Sequence, residues 1–367
     1  MDKNKSSVID IDKLDHYDQK FLDELSNDLI DQYNNLVEEI LEKNNSLINK
    51  FSTLTSRSNY QNELFDCMLL FAFIKLISKK RKISVIKTNN YLLYVFFKIE
   101  FKDIKIEIKS YRYILEKLKY NLKPISDLLK ILGKIILNIS CSFFVNNKNS
   151  FSRKKITLID TFISVNNLSE KSIDRNYTNI SSFLNYKQKK SIFFLPSFIG
   201  IYNPFKLYKI KKLSKLKLIF KHDYLKPIDC LKALKLIFTS KFNLDNYYIN
   251  NLKIDYLLKN INSSNKFNTS TFDAITNYFF IKRLKKNNIN IKLFISWFEN
   301  QPIDKGYIFG LKSYYPEVKI KGYQGFIVSY DYNFNVIPTS YEIKNKLCVD
   351  EVLVMGKKLR PYFKNIN

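Results

Sequence analysis

The stretch Ile291-Lys292-Leu293-Phe294-Ile295-Ser296-Trp297-Phe298-Glu299-Asn300-Gln301-Pro302-Ile303-Asp304-Lys305-Gly306 decides how this chain is read. Residues 291–298 are mostly apolar and rich in β-branched and aromatic side chains, which predicts a strand. Glu299-Asn300-Gln301 breaks that pattern, and Pro302 suits the first turn of a helix that stops before Pro316. A second strand over 320–328 then carries Gly322-Tyr323-Gln324-Gly325. Strand, polar turn, helix and strand in that order form the unit of a parallel α/β sheet. In such sheets ligands bind outside the carboxyl ends of the strands.

The same alternation extends in both directions. Strand-like runs recur at 83–86, 156–162, 191–195, 216–220 and 352–355, with helical patterns at 64–77, 227–238 and 271–286 between several of them. Pro227 falls in the first turn of one helix, and Ser270 or Thr271 is placed to cap another. Leu14, Phe21, Leu25, Leu29, Tyr33, Leu36, Ile40 and Leu47 recur at helical spacing, so 14–48 reads as one long helix. Residues 163–188, rich in Asn and Ser, read as a loop or insertion. The expected fold is therefore α/β: a Rossmann-like parallel sheet with flanking helices, preceded by a long N-terminal helix. Five of the seven glycines and four of the eight prolines lie after residue 300. That segment kept residues chosen for backbone geometry, and function is sought there.

The chain has 367 residues, 61 Lys and Arg against 34 Asp and Glu, and a net charge of +27. Only seven of the basic residues are Arg, and the chain is heavy in Lys, Asn, Ile, Tyr and Phe, all encoded by A/T-rich codons. An A/T-rich genome accounts for most of that charge without any nucleic-acid partner, since Arg is the better residue for forked recognition of phosphates and bases. Residues 1–43 hold twelve acids and five bases, so the rest of the chain is more basic still. Cys67, Cys141, Cys230 and Cys348 are far apart with no C-x-x-C, and His16 and His222 are equally remote, so no metal site is expected. Reduced, buried thiols in a cytoplasmic protein fit that spacing. The acidic N-terminus is no secretory signal, and no apolar run is long enough to span a bilayer.

The order W-F-E-N-Q-x-x-D-x-G from Trp297 to Gly306 continues with Gly310-Leu311, Tyr315-Pro316, Gly322-Tyr323-Gln324-Gly325, Pro338-Thr339 and Glu342. It ends at Asp350-Glu351-Val352-Leu353-Val354-Met355-Gly356. This pattern resembles bacterial surface-carbohydrate biosynthesis transferases encoded with capsule and O-antigen genes. More distantly, it resembles capsule-type glycosyltransferases of the two-Rossmann (GT-B) architecture. The resemblance implies an acidic helical arm over 1–58 and an acceptor-binding Rossmann domain over 59–345. Residues 346–367 would then start a second, donor-binding Rossmann domain. It further implies a nucleotide-sugar as donor substrate, no other cofactor, and a glycan or lipid-linked acceptor. Because the chain ends at Asn367, the expectation is a truncated frame or a separate polypeptide supplying the donor domain.

Inverting sugar transfer needs a carboxylate or imidazole within reach of the acceptor hydroxyl. Glu299, at the end of the 291–298 strand, is the first candidate, and His222 with Asp223, just after the 216–220 run, is the second. Trp297, Asn300, Gln301, Asp304, Tyr323, Gln324 and Glu342 are the candidate acceptor-binding residues. Plain structural roles are also open to several of them: Glu299 and Asn300 can cap the helix at Pro302, Asp304 can complement its dipole, and Glu342 can start the next helix. No Walker or dinucleotide glycine loop occurs, which argues against ATPase and NAD-enzyme readings.

Two partner surfaces complete the reading. Within 123–145, Lys123, Asp127, Lys130 and Lys134 lie on one helix face while Ile125, Leu128, Leu129, Ile131, Leu132, Ile135, Ile136 and Leu137 cover the remainder. That pattern suits both a buried helix and one lying on an anionic membrane at the inner face of the cytoplasmic membrane. Lysines interleaved with aromatics, as in Tyr208-Lys209-Ile210-Lys211-Lys212, leave open a nucleic-acid binder, which salt-dependent retention on DNA would reveal. A non-catalytic scaffold is the third class.

Overall fold

The computed structural model describes residues 7–58, 63–144, 155–164, 180–199, 203–213, 217–249, 252–325, 337–354 and 356–357. The chain begins with β1 (Ser7–Asp10), α1 (His16–Lys43), α2 (Leu47–Lys50), α3 (Glu63–Lys80), β2 (Ile83–Lys87), α4 (Tyr91–Glu100), β3 (Lys105–Glu107) and α5 (Ser110–Phe144). Next come β4 (Ile156–Ser164), α6 (Ile180–Phe183), α7 (Tyr186–Ser191), β5 (Ile192–Ile199), α8 (Pro204–Leu213), α9 (Lys221–Tyr224) and α10 (Pro227–Thr239). The remainder is β6 (Tyr248–Ile249), β7 (Leu252–Lys253), α11 (Asp255–Ser264), α12 (Thr269–Lys286), β8 (Ile291–Trp297), α13 (Pro302–Tyr314), β9 (Lys319–Gln324), α14 (Ser340–Lys344) and β10 (Glu351–Val354). The fold is α/β with parallel sheets, and it divides into two compact units.

The first unit holds the described residues up to Leu128 together with Lys241–Asn268. Its sheet is β1-β2-β3, all parallel, with Val8 opposite Val85 and Val85 opposite Lys105. Asp15 caps α1 by accepting from the Asp18 backbone N–H at 2.8 Å, and the stripe Leu25, Leu29, Tyr33, Leu36 and Ile40 is buried. The N-terminal segment is thus more than an arm, since β1 pairs with β2 and α1 packs on α3. α3, apolar almost all round in sequence, buries Phe65, Met68, Phe71, Phe73 and Ile74. Each such side chain contributes about 1.5–3 kcal/mol of burial.

The second unit holds the described residues of Leu129–Ser240 and from Thr269 to residue 357, apart from the interval 329–334. Its five strands are parallel in the order β5-β4-β8-β9-β10. Numbered along the unit this is 2-1-3-4-5, a doubly wound arrangement whose direction of winding reverses between β4 and β8. Leu158, Ile159, Phe194, Phe294 and Ile320 fill its core. β10, which the resemblance places at the start of a further domain, pairs instead with β9 as an edge strand of this sheet. β5 runs three residues past Pro196; as an edge strand paired only with β4 among the named strands, it loses no ladder bond to the missing N–H. The expected 216–220 strand is reduced to a single parallel bridge, Leu218 to Phe194, with Leu216 outside the described residues. The described part of 163–188 includes the short helix α6, and α7 starts at Tyr186; residues 165–179 lie outside the description. The end of the expected 320–328 strand lies outside it as well.

α12 and α13 pack closely, and Gly306 shows why. A Cβ there would lie 2.2 Å from the backbone oxygen of Ala274. One turn on, a Cβ at Gly310 would lie 3.0 Å from Ile281 Cβ. Glycine on this face lets the two backbones approach as no larger residue could.

Candidate functional site

Two groups of polar residues stand out in the second unit. The first surrounds the start of α13. Asp304 Oδ2 accepts from the backbone N–H groups of Glu299 and Gln301, both at 3.0 Å, tying down the polar turn after β8. Burial of Asp304 outweighs those two donors and the nearby Lys305, and pushes its carboxyl up to about 7. Asn300 holds a left-handed backbone, φ +53°, which Asn tolerates better than most residues. Its Nδ2 approaches both Glu342 oxygens at 3.3 and 3.4 Å. Glu342 also accepts from the Thr339 backbone N–H at 3.0 Å and pairs with Lys305 at 2.7 Å, both side chains only 2% exposed.

Glu299 is held from both sides: Trp297 Nε1 donates to Oε1 at 2.8 Å, and Gln301 Nε2 donates to Oε2. The Trp297 ring meets Tyr323 edge-on, with centroids 5.6 Å apart. Gln324, at the end of β9, is fully buried and neither of its amide atoms finds a hydrogen-bond partner among the described residues. The structure therefore brings Trp297, Glu299, Gln301 and Tyr323 together at the carboxyl ends of β8 and β9. Asn300, Asp304 and Glu342 lie in the buried network that anchors α13 to α14.

The second group lines a cavity of about 330 Å³ at the carboxyl ends of β4 and β5. Phe162 on β4 and Pro196, Ser197 and Phe198 on β5 form one wall. α9 supplies Lys221 and His222, α12 supplies Asp273, Thr276 and Asn277, α13 supplies Tyr307, and α5 supplies Lys134 and Asn138. Lys221 Nζ donates to Thr276 Oγ1 and Asn277 Oδ1, each at 2.6 Å, and burial lowers its ammonium to about 8. Lys134 pairs with Asp273. His222 Nδ1 lies 3.1 Å from Asn138 Nδ2. Burial, and next the Lys221 charge, push the imidazole down to about 4. Burial, and next the Asp160 charge, raise the Tyr307 hydroxyl well above the ordinary phenol range, against the opposing hydrogen bond to Ser197.

Of the candidate catalytic and acceptor-binding residues read from the sequence, His222 alone lines this cavity. Asp223 turns away from it to pair with Lys211 at 2.8 Å; burial raises its carboxyl to about 6. Lys134, Lys221, Asp273 and Tyr307 are not legible as a group in sequence, because topology alone collects them. A single signal was there for Asp160: a lone acid inside the apolar run 156–163, and it is buried on β4. Among the described residues, no group of three or more His, Cys, Asp or Glu is placed to hold a metal ion. All four cysteines are buried free thiols. No described helix is long and apolar enough to cross a membrane.

The cavity combines apolar walls, two ammonium groups, a carboxylate and a neutral imidazole. Such a lining offers hydrogen-bond donors and positive charge to a small ligand. No family model, no curated protein and no solved structure matches this chain.

Proposed function

We propose that the second unit is the acceptor-binding domain of a glycosyltransferase of surface-polysaccharide biosynthesis. Its cavity takes a hydroxylated, anionic glycan or the head of a lipid-linked acceptor, and a nucleotide-sugar is the donor. The observation that carries this reading is the placement of Lys134, Lys221, His222 and Asp273 in one cavity at the strand ends of a doubly wound sheet. Lys134 and Lys221 supply positive charge for an acidic group. Asp273, released from Lys134 by that group, takes the proton of the attacking hydroxyl, and His222 donates through Nε2 as a neutral imidazole. Glu299 remains an alternative base on the neighbouring strand end.

Calorimetry with glucose 1-phosphate, glucose and UDP-glucose tests the reading. Glucose 1-phosphate is expected to bind, and Lys221→Ala to weaken it about tenfold or more, roughly 1.4 kcal/mol. Glucose 1-phosphate that fails to bind, or binds Lys221→Ala equally well, removes the cavity from the reading.

A further inference from the structure

The geometry points to α5 as the dimerisation element of this protein: we propose that it pairs antiparallel with α5 of a second copy in a two-fold coiled coil. This rests on a different face of α5 from the one that lines the cavity and is independent of the proposed activity.

Tyr111, Leu115, Leu118, Leu122, Ile125, Leu129, Leu132, Ile136, Ile139 and Phe143 follow one another at alternating steps of four and three. That is a heptad seam along one 35-residue helix, continuous past the Pro124 that the helix carries between Leu122 and Ile125. All but the half-buried Ile139 are exposed: Leu122 is 53%, Leu129 63% and Ile136 63% accessible. The side of the helix turned inward is different. Ile131, Ile135, Leu137 and Cys141 are buried, Lys123 donates to Asn265 at 2.8 Å, and Lys134 pairs with Asp273. The basic strip expected to face a membrane is thus partly engaged by the protein's own acids and amides.

The period selects a helix as the occupant. A seam repeating every 3.5 residues drifts about 20° per heptad around a straight helix. Over the span from Tyr111 to Phe143 it winds through roughly a quarter turn, which a second helix follows by supercoiling and a flat bilayer does not.

The flanks select the second copy and its direction. Of the residues just before the first seam position of each heptad, Ile114 and Asn121 are exposed but Leu128 is half-buried and Ile135 buried, so over the C-terminal half the partner lies on the other flank. That flank reads Arg112, Lys119, Ser126, Gly133 and Ser140. In an antiparallel two-fold pair centred near Asp127, Arg112 faces Ser140 of the second copy, Lys119 faces Gly133, and Ser126 faces itself. Each long cation meets a small neutral residue, and no like charges oppose one another. A Cβ at Gly133 would have nothing within 4 Å, leaving room for the incoming Lys119. In the same register Phe143 meets Tyr111 at both ends, and every intervening layer is aliphatic.

Sedimentation equilibrium of the full chain is expected to give twice the monomer mass. The double substitution Leu122→Glu and Leu129→Glu is expected to give the monomer with an unchanged circular dichroism spectrum. Ser126→Cys should form a covalent dimer on mild oxidation, because residue 126 faces itself and the native cysteines are buried. Arg112→Cys alone should not, whereas mixed Arg112→Cys and Ser140→Cys chains should cross-link. A monomeric wild type overturns the proposal, including one that floats with phosphatidylglycerol vesicles. So does a dimer that survives the two glutamates, or one that cross-links through Arg112→Cys alone.

Discussion

Asn138 Nδ2 lies 3.1 Å from His222 Nδ1, and that contact fixes which imidazole nitrogen carries the proton. An amide nitrogen only donates, so Nδ1 accepts and the neutral ring is protonated at Nε2. Asn138 is buried and its Oδ1 finds no partner among the described residues, and the favourable charge of Asp273 does not outweigh burial for a proton added to the ring. With the Lys221 ammonium adjacent, the imidazole resists charging and stays a hydrogen-bond donor through the neutral pH range.

This gives a pH dependence of known sign. The unfolded imidazole takes its proton near pH 6.5 and the folded one only near 4. The stability contributed by a neutral His222 is present above pH 6.5 and is lost as pH falls towards 4. Urea melts of the wild type and His222→Gln across that window should diverge, the wild type losing on the order of 2 kcal/mol more. Parallel curves would show that the ring titrates freely.

The Lys305–Glu342 pair should be expensive to break from one side. Both side chains are buried, and Glu342 also receives the Thr339 N–H. Glu342→Gln leaves the Lys305 ammonium without its counter-charge and is expected to cost about 3–5 kcal/mol in urea unfolding. The double variant Lys305→Met, Glu342→Gln should recover a large part of that loss, because the stranded charge is gone. A single variant as stable as wild type would mean the pair is open to water.

Glu299 offers a sharper distinction between chemistry and scaffolding. Its two carboxylate oxygens are taken by Trp297 and Gln301, and it does not line the cavity. Glu299→Gln keeps one acceptor oxygen and is expected to cost about 1–3 kcal/mol, the range for a hydrogen bond to a charged group. Binding of glucose 1-phosphate at the cavity should be unchanged. A fully stable Glu299→Gln whose rate of sugar transfer in the complete enzyme falls ~10²–10⁴-fold would make Glu299 the base.

The sheet was legible because its strands are written as compact apolar and β-branched runs: 156–162, 291–297 and 352–354 all fall on strands of the five-stranded sheet. The helix start was legible too, since Pro302 marks it, but the cap was not: Gln301 and Asp304 form it, while Glu299 and Asn300, the caps expected from sequence, turn to Trp297, Gln301 and Glu342. The cavity was not. Lys134, Lys221 and Asp273 each look like ordinary surface charges in a chain with 54 lysines, and they meet only because α5, α9 and α12 converge on the same strand ends. The outward seam of α5 was hidden for another reason. Its apolar residues are mixed with those on the buried side, and hydrophobicity alone does not say which stripe the protein covers.

Gly306 ties the packing of the fold to the cavity. On α13 it rests against the backbone of Ala274 on α12, and both helices line the site on either side of that contact: Asp273, Thr276 and Asn277 from one, Ile303 and Tyr307 from the other. In Gly306→Ala the new methyl would meet a carbonyl oxygen at 2.2 Å, and backbone cannot swing aside as a flexible side chain does. α13 must therefore move outward, and the expected loss is about 1–3 kcal/mol or more in thermal or urea unfolding. The movement also lengthens the Asn277 Nδ2 to Ile303 O contact, now 3.2 Å, and displaces Tyr307 from the cavity wall. Glucose 1-phosphate affinity should fall together with stability. Gly310→Ala makes the milder comparison, because its methyl would meet an Ile281 side chain at 3.0 Å that can shift by a few tenths of an ångström. It should cost less stability and leave binding close to wild type. If Gly306→Ala melts like the wild type and binds equally well, the close approach of α12 and α13 is not what sets the shape of the cavity.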